Sequence, residues 1–205
     1  MLRSTIAGAL STQDSIPPAR RQTLERLAAW IAEKSRSGED APLIFICTHN
    51  SRRSHFGQIW AQTAAWTLGL EHVRTFSGGT EATAFHPNAV RALQGQGFGI
   101  RIETEGENPL YAVQAGPQLP DMSVFSKRFD NDTNPSSGFA AVMTCSDADE
   151  ACPVVPGAAA RFSLPYDDPK QSDGSGQEAI VYAERSLQIA SEMLFVMREA
   201  GRRKQ

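Results

Sequence analysis

The sequence Leu43-Ile44-Phe45-Ile46-Cys47-Thr48-His49-Asn50-Ser51-Arg52-Arg53-Ser54 joins two structural signals through one chemical one. Its first four residues are a continuous apolar run, the pattern of a strand buried on both faces of a parallel sheet. Beyond Ser54 the pattern turns helical: Phe56, Ile59, Trp60, Ala64 and Thr67 share a face and Gly69 is placed to end the helix. Between strand and helix stands Cys47, then five residues, then Arg53 and Ser54. A loop that leaves a parallel strand and feeds a helix turns a run of backbone N–H groups into one concavity at the positive end of the helix dipole. Such a nest takes tetrahedral oxyanions, and here Thr48, His49, Asn50, Ser51, Arg52, Arg53 and Ser54 would line it. Cys47 at its base would face those donors and a guanidinium, both of which favour thiolate over thiol. Arg53 can hold two oxygens of an anion at once, and Ser54 can donate to the sulfur. The competing reading makes Cys47 a small buried apolar group at a strand end and Arg53 a surface charge.

Outward from this stretch the alternation continues. Val73 to Ser77 reads as a second strand and Pro87 to Gln94 as a helix opened by proline. Phe139 to Met143 and Ala160 to Leu164 read as further strands. A last helix carries Ile180, Ala183, Leu187, Ala190, Leu194 and Met197 at steps of three and four, with Gly201 marking its end. The pattern predicts an α/β fold with a single doubly wound, mostly parallel sheet of four to five strands and helices on both faces. Residues 1–41 read as an addition: a polar, unpatterned mobile arm over 1–16, then a helix with Leu24, Leu27, Ala28, Trp30 and Ile31 inward and Arg20, Arg21, Glu25 and Arg26 on the other face. Within the main unit, 42–205, residues 101–137 break the rhythm. Leu110 to Val113 and Met122 to Phe125 read as an inserted hairpin followed by a loop rich in Asp, Asn, Ser and Pro.

Composition narrows the partners. The chain has 205 residues, 40% of them hydrophobic, and a formal charge of −3, so it has no overall basic field for nucleic acid or an acidic membrane. No apolar run approaches the ~20 residues of a membrane-spanning helix, and the first ten residues read as no secretion signal. The three cysteines cannot all pair and point to a reducing, cytoplasmic setting in which thiols are used chemically.

The other two cysteines stand in Cys145-Ser-Asp-Ala-Asp-Glu-Ala-Cys152-Pro153, just after a strand. Ser146 or Asp147 can cap a short helix there and Pro153 forces it to stop. In a helix the two cysteines would lie about 10.5 Å apart along the axis at 1.5 Å per residue. A disulfide needs Cα atoms within roughly 7 Å, so the pair can close only if the turn unwinds. That suits a redox switch. Two inert buried thiols remain an alternative, as does a metal site, although no close-spaced Cys or His pair flanks the segment and no metal is expected.

The Cys47–Ser54 loop resembles the phosphate loop of the low-molecular-weight protein tyrosine phosphatases and of the related thioredoxin-coupled arsenate reductases. The resemblance implies that Cys47 is the nucleophile, that Arg53 binds the oxyanion and that Asn50 holds the loop's shape. His49 stands where the family commonly has glycine, and Arg52 is a second arginine beside the first. Cys145-Ser-Asp-Ala-Asp-x-x-Cys152-Pro resembles the redox segment of the arsenate reductases, which implies that both cysteines take part in catalysis; the ordinary phosphatases lack the pair. Tyr166-Asp167-Asp168-Pro169 resembles the family's acid loop, which makes Asp168 the general acid, whereas Lys170 and Gln171 stand where the tyrosine phosphatases often carry tyrosines. Gly79-Thr-Glu-Ala82 and Pro87-Asn-Ala-Val90 also resemble the family. The likeness covers roughly 43–100 and 138–200.

Three functions are therefore expected candidates. The first is arsenate reduction through Cys47, Cys145 and Cys152, with no bound cofactor and with thioredoxin or a similar thiol reductant as co-substrate. The second is hydrolysis of aryl phosphates by Cys47, Arg53 and Asp168. The third is a non-catalytic oxyanion or arsenite sensor. Tyr111, Phe125, Lys127 and Arg128 of the insertion could form a lid, a partner surface or a dimer contact. His55 and His86 read as surface or capping residues, with a substrate-side role as the alternative.

Overall fold

The computed structural model describes residues 1–152 and 154–204. β1 (Ala41–Cys47) lies inside a four-stranded parallel sheet, between β2 (Val73–Gly79) and β6 (Phe139–Met143), with β7 (Ala158–Ser163) beyond β6. The alternation of a strand divides its apolar run between two cores. Leu43 and Phe45 enter the main core, while Ile44 and Ile46 enter a smaller cluster on the opposite face with Phe139, Ala141 and Met143 of β6. Both faces being covered is what makes the run continuous in sequence. On the main face α2 (Pro18–Arg36) and α3 (Arg53–Thr67) pack on the strands, and α6 (Glu178–Lys204) packs across α2, α3 and α4 (Pro87–Gly95). The other face is covered by α5 (Ser146–Ala151) and by the approach to β7, where Val155 is buried. The expected doubly wound parallel sheet is present with four strands.

The chain also holds a second sheet. β3 (Gly99–Thr104), β4 (Leu110–Gln114) and β5 (Met122–Val124) pair antiparallel in the order β3-β4-β5, where a two-stranded hairpin was expected. β3 escaped the sequence reading because it is an exposed edge whose apolar residues never form a run. After β5 the chain returns to the main sheet, where the Gly79 N–H donates to Lys127 O at 2.9 Å and the Phe129 N–H to Gly79 O at 3.0 Å. Insertion and parallel sheet are thus joined at the C-terminal end of β2.

Three local expectations are corrected. The unpatterned arm contains a helix, α1 (Leu2–Ser11), which rests on α6. Ala9 is buried, Leu2 and Ile6 pack on the core, and Thr12 Oγ1 donates to Ser191 Oγ and Gln13 Nε2 to Ser191 O. A stripe this thin carries no clear period, and tertiary packing stabilises it. In α6 the buried face is Tyr182, Ser186, Ile189, Met193 and Val196 with Ala190, Leu194 and Met197, whereas Ile180 and Leu187 are exposed; the helix runs through Gly201 to Lys204. Arg20, expected on the face of α2 opposite its apolar residues, is paired with the buried Glu192 of α6. Pro153, read as a helix stop, lies outside the described residues. Among the described residues no helix is long and apolar enough to cross a membrane.

Candidate active site

The loop between β1 and α3 is fixed from below by its own side chains. Cys47 is buried, with its Sγ 3.1 Å from Ser54 Oγ, and Asn50 Nδ2 donates to that hydroxyl at 2.8 Å. Because the Ser54 oxygen already accepts from Asn50, its own hydrogen is free to point at the sulfur. Asn50 has φ +43°, alone among the described non-glycine residues in the left-handed region. His49 is outside that region, so its side chain imposes no left-handed strain on the backbone. Gly79, beside Cys47 in the register, is needed for close approach: a Cβ there would fall 2.2 Å from Glu81 O and 2.6 Å from Thr48 O.

Neighbouring segments brace the loop's outer edge. The Glu81 N–H donates to Thr48 O, Thr83 Oγ1 and Ser126 Oγ both donate to His49 O, and Ser51 Oγ donates to Ala84 O. Asn50 Oδ1 accepts from the Lys127 N–H at 2.8 Å, so the insertion reaches the loop directly. His49 and Glu81 face each other at 3.8 Å on the exposed rim.

The two arginines have separate partners. One terminal nitrogen of Arg53 donates to Tyr166 O at 2.9 Å and the other pairs with Asp168 Oδ2 at 2.6 Å, which brings the expected general acid to the loop between β1 and α3. Asp168 also caps the 3₁₀ turn Pro169–Ser172 through the Lys170 N–H. Arg52 commits its side chain to Tyr182 OH at 2.6 Å and to Asp173 at 3.0 Å. Burial opposes ionisation of Asp173, but the hydrogen bond from Tyr182 and the Arg52 charge hold it below the usual carboxylate range. Burial and the bond to Asp173 push Tyr182 up to about 12, so its hydroxyl is a neutral donor. His86 stacks on Tyr182 and caps α4 by accepting from the Asn88 N–H; burial and Arg52 lower its pKa.

The other two cysteines belong to the same neighbourhood. Cys145 is buried in the small cluster with Cys47, and Cys152 packs against that cluster. Cys145 Sγ lies 3.5 Å from Oγ1 of Thr48, the residue next to Cys47. Cys145 is itself the N-cap of α5, its sulfur accepting from the Ala148 N–H, in the place expected for Ser146 or Asp147. At the other end Arg161 of β7 donates to Asp149 O and Cys152 O and pairs with the Asp149 carboxylate, which also accepts from Ser163 Oγ.

Two residues in this region read differently in sequence. His55 is fully buried against Phe85, and burial with the nearby Lys127 charge pushes it down to about 3, so it is neutral. Lys127 is buried over the Phe125 ring, and desolvation pushes it down to about 8. No signal in sequence marks Tyr182 as a partner of Arg52, because only the folded chain brings α6 beside the loop. Among the described residues no group of three His, Cys, Asp or Glu is set to hold a metal ion.

A loop with a buried cysteine at its base joins a strand of a four-stranded parallel sheet to a helix, and this fold is shared with solved low-molecular-weight phosphotyrosine phosphatases and an arsenate reductase. No protein-family model matches the chain. Within that architecture the sequence is similar to an arsenate reductase of Bacillus subtilis, 27% identical over 164 residues, which covers 80% of this chain and 99% of the relative. A low-molecular-weight phosphotyrosine phosphatase from Vibrio cholerae superposes with a TM-score of 0.50 at 14% identity, covering 77% of this chain and 94% of its own. An arsenate reductase in a phosphate-binding state also gives 0.50, at 16% identity, covering 77% and 97%.

Proposed function

We propose that this protein is an enzyme that reduces arsenate, using Cys47 as nucleophile and Cys145 and Cys152 as a disulfide relay. The observation that carries the reading is the Cys145 sulfur lying against Thr48, beside Cys47, at the head of a helix whose far end leads to Cys152. Arsenate would sit in the nest of Thr48 to Ser54 against the Arg53 guanidinium. The Cys47 sulfur attacks arsenic, and Asp168 protonates the departing hydroxyl, which leaves as water. Cys145 then attacks the Cys47 sulfur. The arsenic–sulfur bond breaks with its electron pair going to arsenic, which departs as As(III) arsenite while a Cys47–Cys145 disulfide forms. Cys152 attacks Cys145 in turn, so Cys47 is freed and the disulfide moves to Cys145–Cys152. A dithiol reductant of the thioredoxin kind returns that pair to thiols, in a cytoplasmic setting. On this reading residues 42–205, with the 101–137 insertion, form the catalytic domain and 1–41 an addition to it.

A second reading, hydrolysis of aryl phosphates, is favoured by the contact of Arg53 with Asp168, which completes a nucleophile, anion-binder and acid set without the other cysteines. Arsenate-dependent consumption of reduced thioredoxin separates the two. Cys145→Ser and Cys152→Ser should each abolish multiple turnover while leaving aryl-phosphate hydrolysis largely intact. Parental reduction rates in both variants would exclude the relay, and oxyanion binding without turnover of either substrate would leave a sensor.

A further inference from the structure

Arg20 stands in the first turn of α2, outside the stretches 43–100 and 138–200 whose motifs carry the resemblance in sequence, yet it is wired to the loop that holds Cys47 and Arg53. Its Nε and one terminal nitrogen grip the Glu192 carboxylate at 2.9 to 3.1 Å, and its other terminal nitrogen donates to Pro165 O at 2.9 Å. The guanidinium plane lies over the Tyr166 ring, 4.4 Å from its centroid. Glu192 is 3% exposed and accepts a second donor, Tyr166 OH at 2.6 Å. Segment 165–166 is therefore held at a main-chain carbonyl, at a ring face and at a hydroxyl. The carbonyl of Tyr166 and the carboxylate of Asp168 are the two acceptors that orient the terminal nitrogens of Arg53.

We propose that Arg20 is a positioning residue for the oxyanion site: it clamps the Pro165–Asp168 segment so that Arg53 is presented to the anion in a single orientation. A guanidinium binds a tetrahedral anion well only when its fork is already aligned, because aligning it afterwards costs side-chain entropy. The N-terminal addition thereby gains a function: α2 supplies from outside the catalytic unit a brace for the acid loop. Glu192 fixes Arg20, and Tyr166 transmits the hold through its backbone. Lysine could not replace Arg20, since one ammonium cannot grip Glu192, reach Pro165 O and stack on Tyr166 together.

The inference rests on the reading of Arg53 as anion binder, and the test separates the two. The dissociation constant of inorganic phosphate is measured by calorimetry for the parent, Arg20→Met, Arg53→Lys and the double variant, with kcat and KM for an aryl phosphate alongside. Arg20→Met should weaken phosphate about tenfold and raise KM in proportion. In the Arg53→Lys background, where no fork remains to be aligned, Arg20→Met should change phosphate affinity by less than twofold. Should Arg20→Met fail to fold, Arg20→Lys, which keeps a cation against Glu192, should still weaken phosphate severalfold. Parental affinity in the folded Arg20 variant, or an equal loss in both backgrounds, overturns the clamp. If Arg53→Lys itself binds phosphate as the parent does, the anion-site reading falls and the clamp with it.

Discussion

Asn50 shows how much one side chain can fix. Its amide donates to Ser54, its carbonyl oxygen accepts from the Lys127 backbone, and its own backbone is left-handed. Asn50→Ala removes both bonds, leaves a buried N–H unpaired at about 1–3 kcal/mol, and adds about 1 kcal/mol for an alanine at positive φ. A loss of about 3 kcal/mol in urea unfolding is expected, together with weaker phosphate binding. Asn50→Gly should recover only the backbone share; equal stability of the two variants would refute this division. Cys47, Arg53 and Asn50 could be singled out in sequence because a short loop puts its chemistry within eight consecutive residues. Arg52 could not be assigned that way. Its position suggested the anion, whereas its side chain is taken by Tyr182 and Asp173, both more than a hundred residues further along the chain.

At the scale of elements, the informative case is α5. Its two cysteines lie at opposite ends, so a disulfide between them requires the helix to open, and the group that opposes opening is Arg161, bonded to the carbonyls of Asp149 and Cys152. Arg161→Met should therefore speed diamide-driven formation of the Cys145–Cys152 disulfide severalfold, followed by loss of free thiols in a Cys47→Ser background. An unchanged rate would mean that α5 opens without releasing Arg161. The spacing of the cysteines already implied the unwinding. The latch was hidden because β7 is set beside α5 only by its parallel pairing with β6. The same limit applies to β3 to β5: the insertion was visible as a break in rhythm, but not that its exit segment would donate to Asn50 and His49.

For the whole molecule, the two buried bases behind the loop make stability depend on pH in a direction that can be worked out. Lys127 is held at about 8 against 10.5, and His55 at about 3 against 6.5. Between about pH 8 and 10.5 the unfolded chain keeps the Lys127 proton that the folded chain has lost, so folding becomes more favourable as pH rises; below 8 the full penalty of the buried ammonium is present. For His55 the unfolded chain binds the extra proton between about 6.5 and 3. Its contribution is therefore intact above 6.5 and is lost as pH falls. Both bases push the stability maximum to alkaline pH. At about 1.4 kcal/mol per pKa unit, Lys127 accounts for about 3 kcal/mol across its window. Lys127→Met should accordingly be more stable than the parent at pH 7, by about 1–3 kcal/mol once the lost contact with Phe125 is set against the removed charge, and the difference should shrink by pH 10. Urea unfolding of both proteins at pH 7, 8.5 and 10 measures this. A constant difference across the three would mean that the ammonium is solvated, and that residue 127 places no buried charge behind the loop between β1 and α3.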